Sequence, residues 1–294
     1  MTYLTFCFVL ASCASLSPPP QGPLVPDRVA DSLRLASHNV HFIRSDRDNG
    51  AWSLADWDRR KEALDATFKA MDADIVAFQE MVSMGATEDR SVNLAQEFLQ
   101  TRNSDYAIAA TGDWQVFPTR QPIFYRKDRL TLLDQGWFYF DDPSEIAQET
   151  ASPAFWIYYC SWAKFSDRQR RNFYVYNLHF HYHDSDKRQT AAHALAQRIA
   201  PALERGDPVF AMGDTNALSD GVAVHILRRA GLKISEAVGA TFHFNAGLGL
   251  YGAIDRIGSA PQIEQIGGPW VVRQKFEGDW PSDHYPIVAD FRLP

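Results

Sequence analysis

The chain has 294 residues, of which 46% are hydrophobic and 22% charged, and a formal net charge of −7. That length can bury one large core or two small ones, and no stretch after the N-terminus approaches the ~20 apolar residues of a membrane-spanning helix. A protein that grips long nucleic acid usually carries a basic face, so the acidic balance leaves nucleic acid possible as a partner but does not indicate it.

The first residues read differently from the rest. An apolar run over residues 4–10 leads into Leu10-Ala11-Ser12-Cys13 and then a spacer rich in Ser, Pro and Gly. Residues 1–13 resemble a bacterial lipoprotein signal in which Cys13 becomes the lipidated residue, and residues 14–31 read as a tether. The implied location is an exported protein, lipid-anchored in a bacterial envelope, with membrane contact only through that anchor. No Lys or Arg precedes the apolar run, however. A mis-assigned start or an ordinary disordered tail on a cytoplasmic protein is the alternative. With Cys7 cleaved and Cys13 acylated, Cys160 alone remains and no internal disulfide forms.

Residues 32–294 read as one domain. Residues 33–40 alternate with period two and place Asn39 near the end of a first strand. Residues 56–71 have Leu64, Phe68 and Met71 at helical spacing, and Ile75-Val76-Ala77-Phe78 is a buried strand that delivers Gln79 and Glu80 to its end. A helix over residues 92–99 comes next. Aromatic-rich strands are expected over 122–126, 137–140, 155–165 and 173–180, the third holding Cys160 in an apolar setting. Helices over 186–204 and 222–229 flank a buried strand over 208–212, and strands over 251–258 and 287–293 complete the chain. Helices recurring between strands favour a layered α/β domain.

Polar residues recur where these strands end: Asn39, Glu80, Asn177 and His179, Asp214 and Asn216, Asp255, then Asp283 and His284. Strand ends on one side of a sheet converge in space, so the recurrence carries more than any single residue. Asp283 and His284 are adjacent, and adjacent residues on a strand point to opposite faces. They can act in one place only on a loop, and Pro281 and Pro286 supply the break.

Seven motifs, in order, resemble those of the endonuclease/exonuclease/phosphatase superfamily over about residues 34–291: Ser37-His38-Asn39-Val40, Asp74 through Glu80, Pro122-Ile123-Phe124-Tyr125-Arg126, Asn177-Leu178-His179, Gly213-Asp214-Thr215-Asn216, Ile254-Asp255-Arg256-Ile257 and Ser282-Asp283-His284-Tyr285-Pro286. Trp57 and Arg60 also match a spacing that some members carry. The resemblance implies a four-layer α/β/β/α sandwich, with two mixed β-sheets packed face to face and helices outside. It further implies a phosphoester substrate, hydrolysed with Mg²⁺ or Mn²⁺. Glu80, Asn39 and Asp283 would hold the metal. Asp214 would orient or deprotonate water, and Asn216 and His179 would donate to the phosphoryl oxygens. His284 would form a dyad with Asp255, leaving open whether Asp214 or His284 is the base. Arg126, Asn177 and His181 are expected to meet substrate, and a monomer is expected.

Thr215 stands where the family usually has an aromatic, and Arg256 stands where it often has Tyr, placing a cation near the site or on the opposite sheet face. Arg120 either meets phosphate or faces solvent. A zinc site from His179, His181 and His183 is the rival reading, since alternation puts them on one strand face. It inverts the last pair of the metallo-β-lactamase pattern and leaves three aspartate motifs unexplained. His38 and His41 read as flanking polar residues rather than ligands. A noncatalytic tethered binding protein is the alternative of another class, opposed by the retention of Glu80, Asp214, Asn216, Asp255, Asp283 and His284 together. Whether the substrate is DNA or RNA, a phosphoinositide, a sphingolipid or a sugar phosphate turns on loops 44–53, 112–120 and 241–251.

Overall fold

A computed structural model describes residues 25–85, 92–113, 117, 119–140 and 158–294; the expected signal segment, Cys13 and the greater part of the expected tether lie outside them. Period-two patterning and buried apolar runs build two six-stranded sheets. In chain order the strands are β1 (Leu33–Asn39), β2 (Ile43–Arg44), β3 (Ile75–Gln79), β4 (Ser83–Met84), β5 (Tyr106–Ala109), β6 (Ile123–Arg126), β7 (Leu130–Tyr139), β8 (Tyr159–Asp167), β9 (Asn172–His179), β10 (Val209–Asp214), β11 (Lys233–Ile234), β12 (Asp255–Ser259), β13 (Glu264–Val271) and β14 (Ile287–Arg292), and the helices are α1 (Leu54–Met71), α2 (Leu94–Arg102), α3 (Ser185–Glu204) and α4 (Val222–Arg229). The first sheet has the order β13-β14-β1-β3-β6-β5 and the second β11-β12-β10-β9-β8-β7, while β2 and β4 pair by themselves. At the centre of the first, β1 (Leu33–Asn39) runs parallel to β3 (Ile75–Gln79), with the crossover helix α1 (Leu54–Met71) between them. In the second, β9 (Asn172–His179) runs parallel to β10 (Val209–Asp214), joined through α3 (Ser185–Glu204). The two sheets face each other with helices outside, the four-layer sandwich expected.

Side-chain direction explains the layers. On β1 and β3 the residues Leu35, Ile75 and Ala77 point between the sheets, while Ala36, Val76 and Phe78 point outward. Trp57, Leu64, Phe68 and Met71 of α1 cover the outward set, and Phe68 stacks on Phe78 with ring centroids 6.1 Å apart. The helix starts where Ser53 Oγ accepts from the Asp56 N–H and stops at Asp72 in left-handed backbone. Across the sheets Phe210 of β10 meets Phe291 of β14 (Ile287–Arg292) at 5.0 Å.

Above this apolar layer lies a polar tier. Gln79 Nε2 donates to Asn177 Oδ1 at 2.7 Å, Asn177 Nδ2 donates to the Phe78 and Gln121 carbonyls, and Gln121 Nε2 returns a bond to the Asn177 carbonyl. Gln79, Asn177 and Gln121 are all buried and mutually satisfied, so they fix the register of one sheet over the other. Asn177, expected at the substrate, is therefore a fastener beneath the site.

Gly213 shows why one motif residue must be glycine. Its φ is +145°, and a Cβ there would lie 2.0 Å from the Leu178 carbonyl oxygen, its parallel partner on β9. Gly213→Ala is expected to cost about 3 kcal/mol or more. A urea melt with an unchanged midpoint would contradict the close approach.

Some elements differ from expectation. The strand expected over 251–258 is shorter, β12 (Asp255–Ser259), and Tyr251 is exposed. Edge strand β13 (Glu264–Val271) had no sequence signal: it holds Gly267-Gly268-Pro269 and pairs with β14 through register shifts.

Candidate active site

Parallel β1, β3, β9 and β10 end at the same side, and the antiparallel strands β12 and β14 begin there. Asn39 closes β1, Glu80 follows β3, His179 closes β9 and Asp214 closes β10, while Asp255 opens β12 opposite Asp214. His284 lies in the turn before β14, with Asp283 beside it. Of the expected residues, all eight assigned to metal or chemistry gather here.

Asn39 Nδ2 joins two of them, donating to Glu80 Oε1 at 3.0 Å and to Asp214 Oδ2 at 3.2 Å. His179 Nε2 sits 3.7 Å from Glu80 Oε1 and 3.8 Å from Asp214 Oδ2. His284 Nδ1 bonds Asp255 Oδ2 at 2.9 Å, and its other nitrogen faces Asp214 Oδ2 at 3.8 Å. Since a carboxylate only accepts, Nδ1 carries the proton. Asn216 donates its backbone N–H to Asp214 Oδ1 and its amide to the Phe180 carbonyl, which holds it at the rim. Asp283 is oriented by Ser282, whose Oγ also donates to the Asn39 carbonyl. Adjacent Asp283 and His284 thus serve different partners.

Strain concentrates here. Glu80, Asn216, His41 and Trp52 all have positive φ, at 55°, 45°, 54° and 66°. For the larger residues such backbone costs about 1–3 kcal/mol each and persists only where surrounding contacts hold it.

Charge is distributed unequally. Burial, then the Asp255 and Glu80 charges, push the Asp214 carboxyl up to about 7, against the opposing His284. Burial disfavours a charged His284, yet Asp255, by charge and by hydrogen bond, with Asp214 beyond it, lifts the imidazole to about 10. Burial takes His179 down to about 4, only partly offset by Glu80, so that imidazole is neutral. Glu80 stays below its ordinary range, because His41, His179 and the Asn39 amide outweigh its desolvation.

Two expected substrate contacts fall elsewhere. Arg126 ends β6 (Ile123–Arg126), which runs antiparallel to β3, so its end lies beside the start of β3 at the far pole of the sheet. There it pairs with Asp72 at 2.5 Å and Asp105 at 3.2 Å. The rule that strand ends converge holds only for parallel neighbours. His181 lies past the end of β9 in the turn before α3, half-buried against Tyr158, and its Nδ1 accepts from the His183 and Asp184 N–H groups. His179, His181 and His183 therefore do not share a strand face, and among the described residues the grouped metal-binding side chains are Asp214, Asp255 and His284 instead.

Arg256 turns to the opposite sheet face, buried against the Ala217 and Ala253 carbonyls. Arg120 is half-buried with its guanidinium 5.5 Å over the Tyr159 ring, and its charge acts on His179. His41 was missed: its Nε2 lies 3.7 Å from Asp283 Oδ2. The only signal in the sequence was its place two residues after Asn39. Beside it a cavity of about 250 Å³ is walled by Trp52, Phe242 and Phe244 and edged by Asp56, Asn245 and Asp283.

Two stacked sheets thus deliver carboxylates and a His–Asp dyad to one pole. A family model described as Endonuclease/Exonuclease/phosphatase family matches residues 36–284, and the chain belongs to that family. Similar solved structures include an endonuclease/exonuclease/phosphatase from Bacteroides vulgatus, at 24% identity and TM-score 0.70, covering 90% of this chain and 99% of that one. A mannosyl-6-phosphatase from Bacteroides thetaiotaomicron is similar at 22% identity and TM-score 0.67, with 89% and 100% covered. D. rerio TDP2, complexed with a single-strand DNA product, is similar at 20% identity and TM-score 0.63, with 89% and 99% covered. No curated protein matched the chain.

Proposed function

We propose that the chain is a divalent-metal-dependent phosphoesterase in which Asp214 activates water for in-line attack on a phosphodiester or phosphomonoester. The observation that carries this reading is geometric: Asp214 Oδ2, bonded by Asn39, faces His284 Nε2 at 3.8 Å, and the other nitrogen of that imidazole is bonded to Asp255 at 2.9 Å. Burial lifts the Asp214 carboxyl to about 7, and the Asp255 and Asp214 carboxylates lift His284 to about 10. Near neutrality His284 holds its proton while Asp214 can take one. The base is then Asp214, and His284 is the cation that meets charge building on the phosphoryl group. Asp255 keeps the imidazole upright and charged. As the water oxygen bonds to phosphorus the ester P–O bond breaks with its electron pair on the leaving oxygen, the water proton passes to Asp214, and the departing alkoxide takes a proton from solvent and leaves as the alcohol. Asn216 and neutral His179 would donate to the remaining oxygens.

The residues fit a hard divalent ion. The Asn39 amide joins the Glu80 and Asp214 carboxylates, and Glu80 is held ionised. Oxygen donors of this kind suit Mg²⁺ or Mn²⁺. Asp255 and His284 are bonded to each other, and the set that the resemblance implies is Glu80, Asn39 and Asp283. The two carboxylates would present oxygen as they stand, and Asn39 would do so by turning its amide, whose Oδ1 accepts from the His41 N–H. When bound it would neutralise phosphate charge and make phosphorus more electrophilic. The net charge of −7 favours small esters over long nucleic acid.

Turnover of bis(p-nitrophenyl) phosphate or p-nitrophenyl phosphate is expected to vanish in EDTA and return with Mg²⁺ or Mn²⁺. Full turnover after exhaustive chelation, with no metal found by elemental analysis, would sink the proposal.

A further inference from the structure

His41 has no part in the chemistry above, yet its setting is more constrained than a flanking residue requires. Its ring lies flat on Trp52, with centroids 3.3 Å apart and planes 9° from parallel. Both residues take left-handed backbone, at about 1–3 kcal/mol each. The His41 backbone N–H donates to Asn39 Oδ1 at 3.1 Å, so the loop is tied to the residue that bonds Glu80.

The protonation of the ring follows from its neighbours. Nδ1 lies 3.2 Å from the Phe42 carbonyl oxygen, which can only accept, so Nδ1 carries the hydrogen of the neutral ring. Nε2 then presents its lone pair to Asp283 Oδ2 at 3.7 Å, too far for a hydrogen bond. A far N–H given to a backbone carbonyl, with the near nitrogen free, is the arrangement that metal-binding imidazoles adopt.

We propose that His41 is a nitrogen ligand of the divalent ion held with Glu80 and Asp283, and that it tilts the site toward Mn²⁺ over Mg²⁺. The inference rests on the metal-dependent reading above. Imidazole adds little to Mg²⁺ binding, which favours oxygen, and more to later divalent ions. Trp52 acts on the ring as a positioning residue.

The test is Mn²⁺ alone, added to the full chain at pH 8 and read by electron spin echo for nitrogen coupling, with affinities from titration. Wild-type protein is expected to show ¹⁴N modulation of bound Mn²⁺. His41→Gln is expected to lose it and to bind Mn²⁺ at least about tenfold more weakly, with a smaller change for Mg²⁺. Trp52→Leu keeps the imidazole and is expected to retain modulation with an intermediate affinity, which covers the case where His41→Gln does not fold. Bound Mn²⁺ without nitrogen coupling in wild type, or coupling that persists in His41→Gln, overturns the assignment and leaves the metal-dependent reading standing. Wild type that binds no Mn²⁺ overturns both.

Discussion

Asp214→Asn is expected to lower kcat by about 10²–10⁴-fold while making the metal-free protein more stable at pH 8. A carboxyl lifted from 3.8 to about 7 by burial opposes folding by up to about 4 kcal/mol once ionised. The sign follows from which state gives up its proton first. The unfolded carboxyl ionises near 4 and the folded one near 7, so stability falls as pH rises between them and is level above. Asparagine does not titrate. It also loses an acceptor that Asn39 or the Asn216 N–H uses in the wild type, which reduces the gain to roughly 1–3 kcal/mol. Urea melts of the two proteins should therefore agree near pH 4 and separate by pH 8. His284 works in the other direction: lifted from 6.5 to about 10, it contributes stability that is complete below 6.5 and lost as pH rises through 10.

The same two groups shape the rate. At the lowest metal concentration that supports turnover, kcat/KM should climb toward about pH 7 as Asp214 ionises and fall near 10 as His284 gives up its proton. A divalent ion beside Glu80 favours the Asp214 anion, so the acid limb should move down as metal is raised. A limb that stays fixed across metal concentrations, or a wild-type rate in Asp214→Asn, would remove Asp214 from the role of base.

Parallel order made most of the site legible in the sequence. Asn39, Glu80, His179 and Asp214 each end or follow a strand of a βαβ unit, and the helices between them showed clear 3.6-residue spacing, so one pole had to collect them. The failures share a cause. Arg126 and Asn177 sit in motifs as distinct as the others, but direction and depth, which a motif does not encode, put one at the opposite pole and the other in the tier between the sheets. His181 and His183 alternate in sequence, yet the strand stops at His179 and alternation stops with it. His41 was invisible because its role depends on a left-handed turn that stacks it on Trp52, eleven positions away. The edge strand β13 lacked signal because half of it faces solvent and carries Gly and Pro.

Arg60 joins the halves of the site, and its loss should be the most damaging change away from the chemistry. It is buried in α1, and its guanidinium donates to the Val40 carbonyl at 2.8 Å, the Pro281 carbonyl at 2.9 Å and the His41 carbonyl at 3.0 Å. Asp56 Oδ2 balances the charge at 3.3 Å, and Trp57 lies against it. Val40 and His41 follow Asn39 directly, while Pro281 opens the turn that carries Asp283 and His284. One planar fork thus sets the distance between the loop after Asn39 and the turn that carries Asp283 and His284. Arg60→Met removes the donors and leaves three buried carbonyls and the Asp56 carboxylate without their partner, at about 3–5 kcal/mol. At about 2–4 °C per kcal/mol, the melting midpoint should drop by roughly 10 °C. Displacement of the two loops by an ångström should further reduce kcat about 10²-fold in protein that is still folded. Arg60→Lys should recover little of either, since an ammonium cannot reach carbonyls on two loops at once with the geometry of a fork. Thermal melts and kcat measured on the two variants separate the effects. A midpoint within a few degrees of wild type with kcat intact in Arg60→Met would mean that the loops hold their places without it.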